Sequence, residues 1–245
     1  MSDIDKRSVR PLVRSLPKYF GDERSRRGFV DGLFDSTARD YDFIELLLGL
    51  YSGARYRRDA LRRAGLKPGM RVLDIATGTG LVAREALALG GAVTGIDPSA
   101  GMIDEARRIS FPLVRGLGEK LPFRDTCFDF VCMGFALRHV ADIQGLFEEM
   151  RRVLTPGGTI CVLEITRPPN RFVAAPLRVY MTRIVPAIAR AAGRDASALM
   201  QFYWDTIDAC MPPDAILATL ERAGFHSPAR NVVLGMFSEY VVRKR

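Results

Sequence analysis

The segment RVLDIATGTG at residues 71–80 constrains the fold more than any other part of the chain. An apolar run of strand length carries an acid, Asp74, near its end. It then passes through glycines at 78 and 80 into apolar residues at helical spacing. A strand that turns through glycines straight into a helix opens a βαβ unit, and parallel strands need such a crossover between them. The rhythm continues downstream. Strands are expected at Arg71–Ala76, Ala92–Asp97, Leu113–Gly116, Phe128–Gly134 and Thr159–Ile165. Helices are expected at Leu81–Leu89, from an N-cap at Ser99 through Arg108, and along the stripe Ile143, Leu146, Phe147, Met150, Val153 and Leu154. Asp214–Ala223 reads as an amphipathic helix with Asp214 at its N-cap, and strands around Arg230–Val233 and Phe237–Arg243 follow. The expected fold is α/β: a Rossmann-like, seven-stranded, mostly parallel sheet with helices on both faces.

Two segments stand outside that rhythm. Residues 1–33 read as a basic N-terminal arm with one or two short helices, carrying Lys6, Arg7, Arg10, Arg14, Lys18, Arg24, Arg26 and Arg27. Residues 34–245 form the domain, which opens on a helical pattern from Phe34 to Ala64 closed by GLKPG at 65–69. Within it, residues 166–213 read as a helical insert placed to act as a lid.

Composition narrows the class. Hydrophobic residues make up 48% and charged residues 26% of 245, the balance of a globular protein. Phe172–Ala192 is apolar, but Arg178, Arg183, Arg190, Pro176 and Pro186 interrupt it, so it does not read as a membrane span. The four cysteines have no metal-ligand spacing and read as reduced packing residues, and no metal is expected. These features point to the cytoplasm. The net charge of +8 is clumped in the arm and in Arg55, Arg57, Arg58, Arg62 and Arg63. Most of these charges read as solvated faces. Aromatic residues do not interleave with them as stacking on bases requires, so nucleic acid is not an expected partner.

The glycine turn alone satisfies the dinucleotide fingerprint as well. Asp97, about twenty residues on at the end of the second strand, can accept both ribose hydroxyls of a nucleoside. Asp74 separates the possibilities, because a carboxylate turned into the cleft suits the cationic amino group of a methionine moiety, not a pyrophosphate. The cofactor this implies is S-adenosylmethionine (SAM).

Further motifs then line up in order: FDSTARDYD at 34–42, GIDPS at 95–99, EKLPF at 119–123, GFALRH at 134–139, LTPGG at 154–158, LEITRP at 163–168, FYWDTI at 202–207 and MPPD at 211–214. With these the chain resembles the ubiquinone/menaquinone biosynthesis C-methyltransferase family, of the class I SAM-dependent methyltransferases. The resemblance implies SAM contacts from Asp74, Ala76, Thr77, Gly78, Gly80, Asp97, Pro98, Met102, Gly118 and Glu119. It implies Tyr41 and Asp42 as substrate-side wall residues, and Arg138 holding an ordered water or a phenolate oxygen. Residues 1–33 have no counterpart in it and carry little of the activity. Leu117 replaces a usual polar residue, His139 an asparagine, and GMFSEY at 235–240 a more apolar ending.

The activity implied is C-methylation of a quinol or phenolic ring. A ring carbon becomes nucleophilic when a neighbouring phenol ionises, so the site needs a base or a positive partner. Arg138 and His139 are the candidates, with His139 able to take the proton itself. Two other functions share the cofactor motifs: O- or N-methylation of another small metabolite, and a non-catalytic SAM-binding partner in a biosynthetic complex. The acceptor expected is a prenylated quinol. Its tail calls for peripheral contact with the inner face of the membrane, for which Phe172–Ala192 has the composition. A homo-oligomer stays open.

Overall fold

The computed structural model describes residues 16, 18–21, 23–49, 53–168 and 170–245. The first fifteen residues of the expected arm, with Lys6, Arg7, Arg10 and Arg14, lie outside the described residues. The helices are α1 (Glu23–Leu48), α2 (Gly53–Arg63), α3 (Leu81–Ala88), α4 (Ala100–Ala106), α5 (Ile143–Val153), α6 (Arg171–Val179), α7 (Val185–Ala191), α8 (Ser197–Ala209) and α9 (Pro213–Arg222). A π-helical turn, Tyr180–Ile184, joins α6 to α7, and a 3₁₀ turn covers Leu137–His139. The strands are β1 (Arg71–Ile75), β2 (Ala92–Asp97), β3 (Leu113–Arg115), β4 (Phe128–Gly134), β5 (Leu154–Ile165), β6 (Ala229–Val233) and β7 (Phe237–Arg243).

They form one sheet in the order β3-β2-β1-β4-β5-β7-β6. The first five strands are parallel, and β7 runs antiparallel to both β5 and β6. Central strands buried on both faces read as continuous apolar runs, and period-two alternation divides their side chains. Leu73, Val131, Met133, Ile160 and Val162 face α5 and α9. Val72, Phe130, Cys132, Cys161 and Leu163 face α2 and α3. A third cluster lies at the C-terminal ends of the strands, where α1 packs against α6, α7 and α8 through Ile44, Leu47, Met181, Val185, Leu199 and Phe202.

Several boundaries differ from expectation. The helical pattern expected over Phe34–Ala64 is two helices, and α1 begins eleven residues before Phe34, inside the expected arm. Phe29, Val30, Leu33 and Phe34 pack on the third cluster and carry that extension. Asp214 lies in the first turn of α9, not at its N-cap, which is Pro212. LTPGG belongs to β5, whose Leu154 pairs with Phe128 across a register shift. Ser99 does cap α4, accepting the Met102 N–H at 3.0 Å.

Of the upstream arginines Arg55 and Arg62 are exposed as expected, while the other three are ion-paired with distant acids. Arg57 is buried and ion-paired with Glu45, Arg58 reaches Glu85 at 2.8 Å, and Arg63 reaches Glu239 at 2.6 Å. The span Arg171–Ala191 is continuous helix, and by length and composition alone it could cross a membrane. Ala174, Met181, Val185 and Ala189 instead bury against its neighbours. The opposite side leaves Phe172, Val173, Val179, Ile184 and Ile188 exposed.

Candidate functional site

The strand order places the site. The chain runs outward from β1 through β2 to β3, then returns to the other side of β1 with β4. In an open α/β sheet the crevice at such a reversal, beyond the carboxyl ends of the strands, is where ligands bind. Ala76 follows β1 at φ +52° and Phe135 follows β4 at φ +59°. Left-handed backbone at residues with side chains is costly and clusters at functional sites. Between them opens a cavity of about 950 Å³, its mouth included.

Its walls bring together Tyr41, Ala76, Gly78, Asp97, Pro98, Met102, Gly118, Glu119 and His139 of the residues singled out by sequence. Asp42, Asp74, Thr77, Gly80 and Arg138 lie behind the wall, each for a visible reason. Asp74 is fully buried and does not turn into the cleft. It accepts the Thr77 hydroxyl at 2.7 Å and the Cys132 thiol at 3.5 Å, so it orders the glycine loop from beneath. Burial pushes its carboxyl up to about 6. Gly80 has φ +87°, a left-handed backbone that favours glycine, and it turns the chain into α3. Asp42 accepts the Thr79 hydroxyl at 2.5 Å and thus ties α1 to the loop.

Asp97 lies at the cavity. One carboxylate oxygen accepts the Gly78 N–H at 2.8 Å and the other the Ser99 N–H at 2.9 Å. Burial pushes it up to about 6 against those bonds.

Arg138 is interior. Its guanidinium donates to Glu164 at 2.5 Å, to the Phe135 carbonyl at 2.8 Å and to Thr206 at 3.2 Å, and lies over the Tyr203 ring. Both side chains of the Arg138–Glu164 pair are fully buried. Burial works against the arginine's charge, and Glu164 together with Tyr203 and Tyr41 more than offsets it, holding its pKa above the ordinary value.

His139, the next residue, does reach the cavity. Its ring stacks on Phe202 at 5.4 Å and meets the edge of Phe34 at 5.3 Å. Its Nε2 is buried with no hydrogen-bond partner among the described residues. Burial, together with the Arg138 and Arg26 charges, holds its pKa well below 6.5, so the ring is neutral. Tyr41 accepts a hydrogen bond from the Tyr203 hydroxyl at 2.8 Å, and burial raises its pKa.

Sequence reasoning missed one whole wall. Arg26, Arg27, Val30 and Asp31 of α1 line the cavity, although residues 1–33 were expected to matter little. Arg26 is buried and donates to the Val140 carbonyl at 3.2 Å. Asp35 accepts the Ser99 hydroxyl at 2.5 Å and the Gly101 N–H at 3.0 Å. The readable signal was Phe29, Val30, Leu33 and Phe34, an apolar stripe that needed a helix to begin before Phe34. The buried Arg26 had no signal.

The reversal in the sheet and the acid closing its second strand define a nucleoside-binding α/β class. Solved structures share the fold. A Thermotoga maritima SAM-dependent methyltransferase, described as a possible histamine N-methyltransferase, superposes with a TM-score of 0.64 at 20% identity, covering 87% of this chain and 99% of its own. The Haemonchus contortus phosphoethanolamine N-methyltransferase 2 with SAM bound gives 0.64 at 17% identity, covering 89% and 60%. The chain belongs to the ubiE/COQ5 methyltransferase family, whose model matches residues 21–238. The match thus begins inside the segment expected to be an arm without a counterpart. A demethylmenaquinone methyltransferase of Mycobacterium sp. (strain KMS) is 35% identical over 196 residues, 80% of this chain and 85% of the relative. One of Tropheryma whipplei (strain Twist) is 36% identical over 202 residues, 80% and 82%. The chain is an enzyme that uses SAM as its methyl donor.

Proposed function

We propose that the enzyme C-methylates a quinol ring bearing an isoprenoid tail, of the kind its demethylmenaquinone-methylating relatives act on. The observation that carries this reading is the unpartnered Nε2 of a neutral His139, set in an aromatic wall of the cavity. A flat phenolic ring fits against aromatic faces, and its hydroxyl finds a proton acceptor there.

The residues present suit SAM. Asp97 takes the ribose hydroxyls with the lone pairs its two backbone bonds leave free. Pro98, Met102, Leu117 and Gly118 line the cavity with apolar surface that suits the adenine. Gly78 and Ala76 bring bare backbone to the methionine portion, in a loop that Asp74 and Thr77 hold in shape. Glu119 stands at the same wall and accepts the Ala141 N–H at 3.3 Å. Bound SAM supplies an electrophilic sulfonium methyl, so the protein's task is alignment and proton removal.

His139 takes the proton of the ring hydroxyl, which raises electron density at the ring carbon that accepts the methyl. Methyl transfer to that carbon would break the methyl–sulfur bond of bound SAM, the ring carbon's proton would leave to solvent, and His139 would return its proton to the ring oxygen. Arg138 is a positioning residue: it fixes the strand tip that carries His139, and its charge adds to the burial that keeps the imidazole neutral. Tyr41 forms part of the acceptor wall, while Asp42 acts through Thr79.

The acceptor's tail places the enzyme at the inner face of the membrane, as a peripheral protein. Exposed Phe172, Val173, Val179, Ile184 and Ile188 beside Arg171, Arg178 and Arg183 support this, since such a face suits a headgroup region with anionic lipid. Mass spectrometry of quinones in a strain lacking the gene tests the assignment. Accumulation of a ring lacking one methyl, reversed by the wild-type chain, is expected; an unchanged quinone pool refutes it.

A further inference from the structure

A second cavity, about 630 Å³ with its mouth, lies where the end of α1 and the start of α2 meet α6, the π-helical turn and the β6–β7 turn. Its walls are mainly apolar, among them Leu48, Leu177, Met181, Met236 and Phe237. The charged side chains in it, Glu45 and Arg57, are ion-paired with each other. It therefore offers no net charge to select an ionic ligand. Phe135 lines this cavity and the SAM cavity alike, on the strained backbone after β4. The π-helical turn contributes Tyr180 and Met181 to the lining, and such turns are frequent at functional sites. At the outer edge Leu234 lines the cavity while remaining 79% exposed. The helical segment that supplies Leu177 and Met181 carries Phe172, 78% exposed, and Val179 on its outward side.

An aromatic partition thus stands between a chamber suited to a flat ring and an apolar chamber whose rim is apolar surface. We propose that the second cavity holds the isoprenoid tail of the acceptor, which leads past Phe135 from the ring and out over Leu234 toward the exposed face of α6 and α7. The proposal rests on the prenylated-ring reading above. It adds a specificity site built by α6, the π-helical turn and the β6–β7 turn, separate from the chemistry.

The test fills the second cavity with bulk at residues that do not touch the first. Leu177→Trp and Met236→Trp are each made in the full chain. Kinetics are measured with a quinol carrying a short isoprenoid tail and with the same ring carrying no tail. Excluding roughly two buried methylenes raises KM for the tailed quinol about tenfold. Turnover of the tail-free ring and SAM affinity stay at wild-type values. Geranylgeraniol, a tail without a ring, raises the melting temperature of the wild-type protein and not of either variant. Equal losses with both quinols would mean that the cavity serves folding or the ring, and would overturn the proposal. Unchanged KM for the tailed quinol in both variants would overturn it too, while leaving the methylation reading intact. If neither quinol is methylated by the wild type, the methylation reading fails by itself. Geranylgeraniol binding then decides the cavity: loss in both variants supports an isoprenoid site, and no binding to the wild type overturns it.

Discussion

Removing the Glu164 carboxylate strands a charge in the interior. Glu164 accepts from Arg138 Nη1 at 2.5 Å, from the Arg138 backbone N–H at 3.1 Å and from the Ile165 N–H at 2.8 Å. Glu164→Leu therefore leaves a guanidinium without its counter-ion, and two backbone donors without an acceptor, at a site with no solvent exposure. Breaking a buried pair from one side costs about 3–5 kcal/mol. For a chain of this size each kcal/mol lowers the melting temperature by about 2–4 °C, so a fall of roughly 6–20 °C is expected. Arg138→Met exposes the same pair from the other side, but Glu164 keeps its two backbone donors, so the loss is smaller. The double variant removes both charges and is less destabilised than the sum of the singles, with a coupling of about 2 kcal/mol. Thermal melts followed by circular dichroism measure all four corners of this cycle. Additive losses, or a fall of less than about 2 °C in Glu164→Leu, would refute the reading of Arg138 as an internally paired residue.

Asp97→Ala should weaken SAM binding by about ten- to a hundredfold through lost charge-assisted hydrogen bonds, and calorimetry giving wild-type affinity in a folded variant would contradict that placement. Because burial raises Asp97 to about 6, the carboxylate is ionised above that pH and lost below it. SAM affinity should therefore fall as pH drops through about 6, and this dependence should vanish in Asp97→Asn. His139→Ala should lower kcat by about a hundredfold with SAM affinity kept; full activity in the variant would remove it as the base. The imidazole is held neutral below its ordinary range, so at saturating SAM the acid limb of kcat lies below pH 6.5, and a limb at or above 6.5 contradicts the assigned environment. Vesicles rich in anionic lipid should co-sediment the protein and release it in high salt, where the screening length falls below about 8 Å. Equal binding to neutral vesicles would refute the role given to the arginines of α6 and the π-helical turn.

What could be read from the chain followed the range of the physics involved. β1, β4 and β5 were legible because strands buried on both faces are almost purely apolar, and the turn after β1 was legible because its left-handed backbone at residues 78 and 80 favours glycine. Asp97 was placed by its distance from that turn. The start of α1 was hidden because Ser25, Arg26, Arg27 and Gly28 dilute its first turns, and its stability comes from packing on Phe202 and Tyr203, far away in sequence. Nor could local pattern show which polar groups pair across the fold. Asp74 and Arg138 carry the chemistry expected of ligand-facing groups, yet Thr77 and Cys132 bind the one, and Glu164 binds Nη1 of the other while its buried Nη2 has no partner among the described residues. The contacts that tie α1 over the site, Asp35 to Ser99 and Asp42 to Thr79, join residues with no local signature of each other.

The reaction proposed for this cavity is methylation of carbon on a quinol ring. Its most direct test is incubation of the purified enzyme with SAM carrying a deuterated methyl group and a reduced, tail-bearing demethylmenaquinone, with the product analysed by NMR. A deuterated methyl bound to ring carbon is expected, formed by the wild-type enzyme and sharply reduced in His139→Ala. A label on oxygen, or no transfer to the ring by an enzyme that binds SAM, would contradict it.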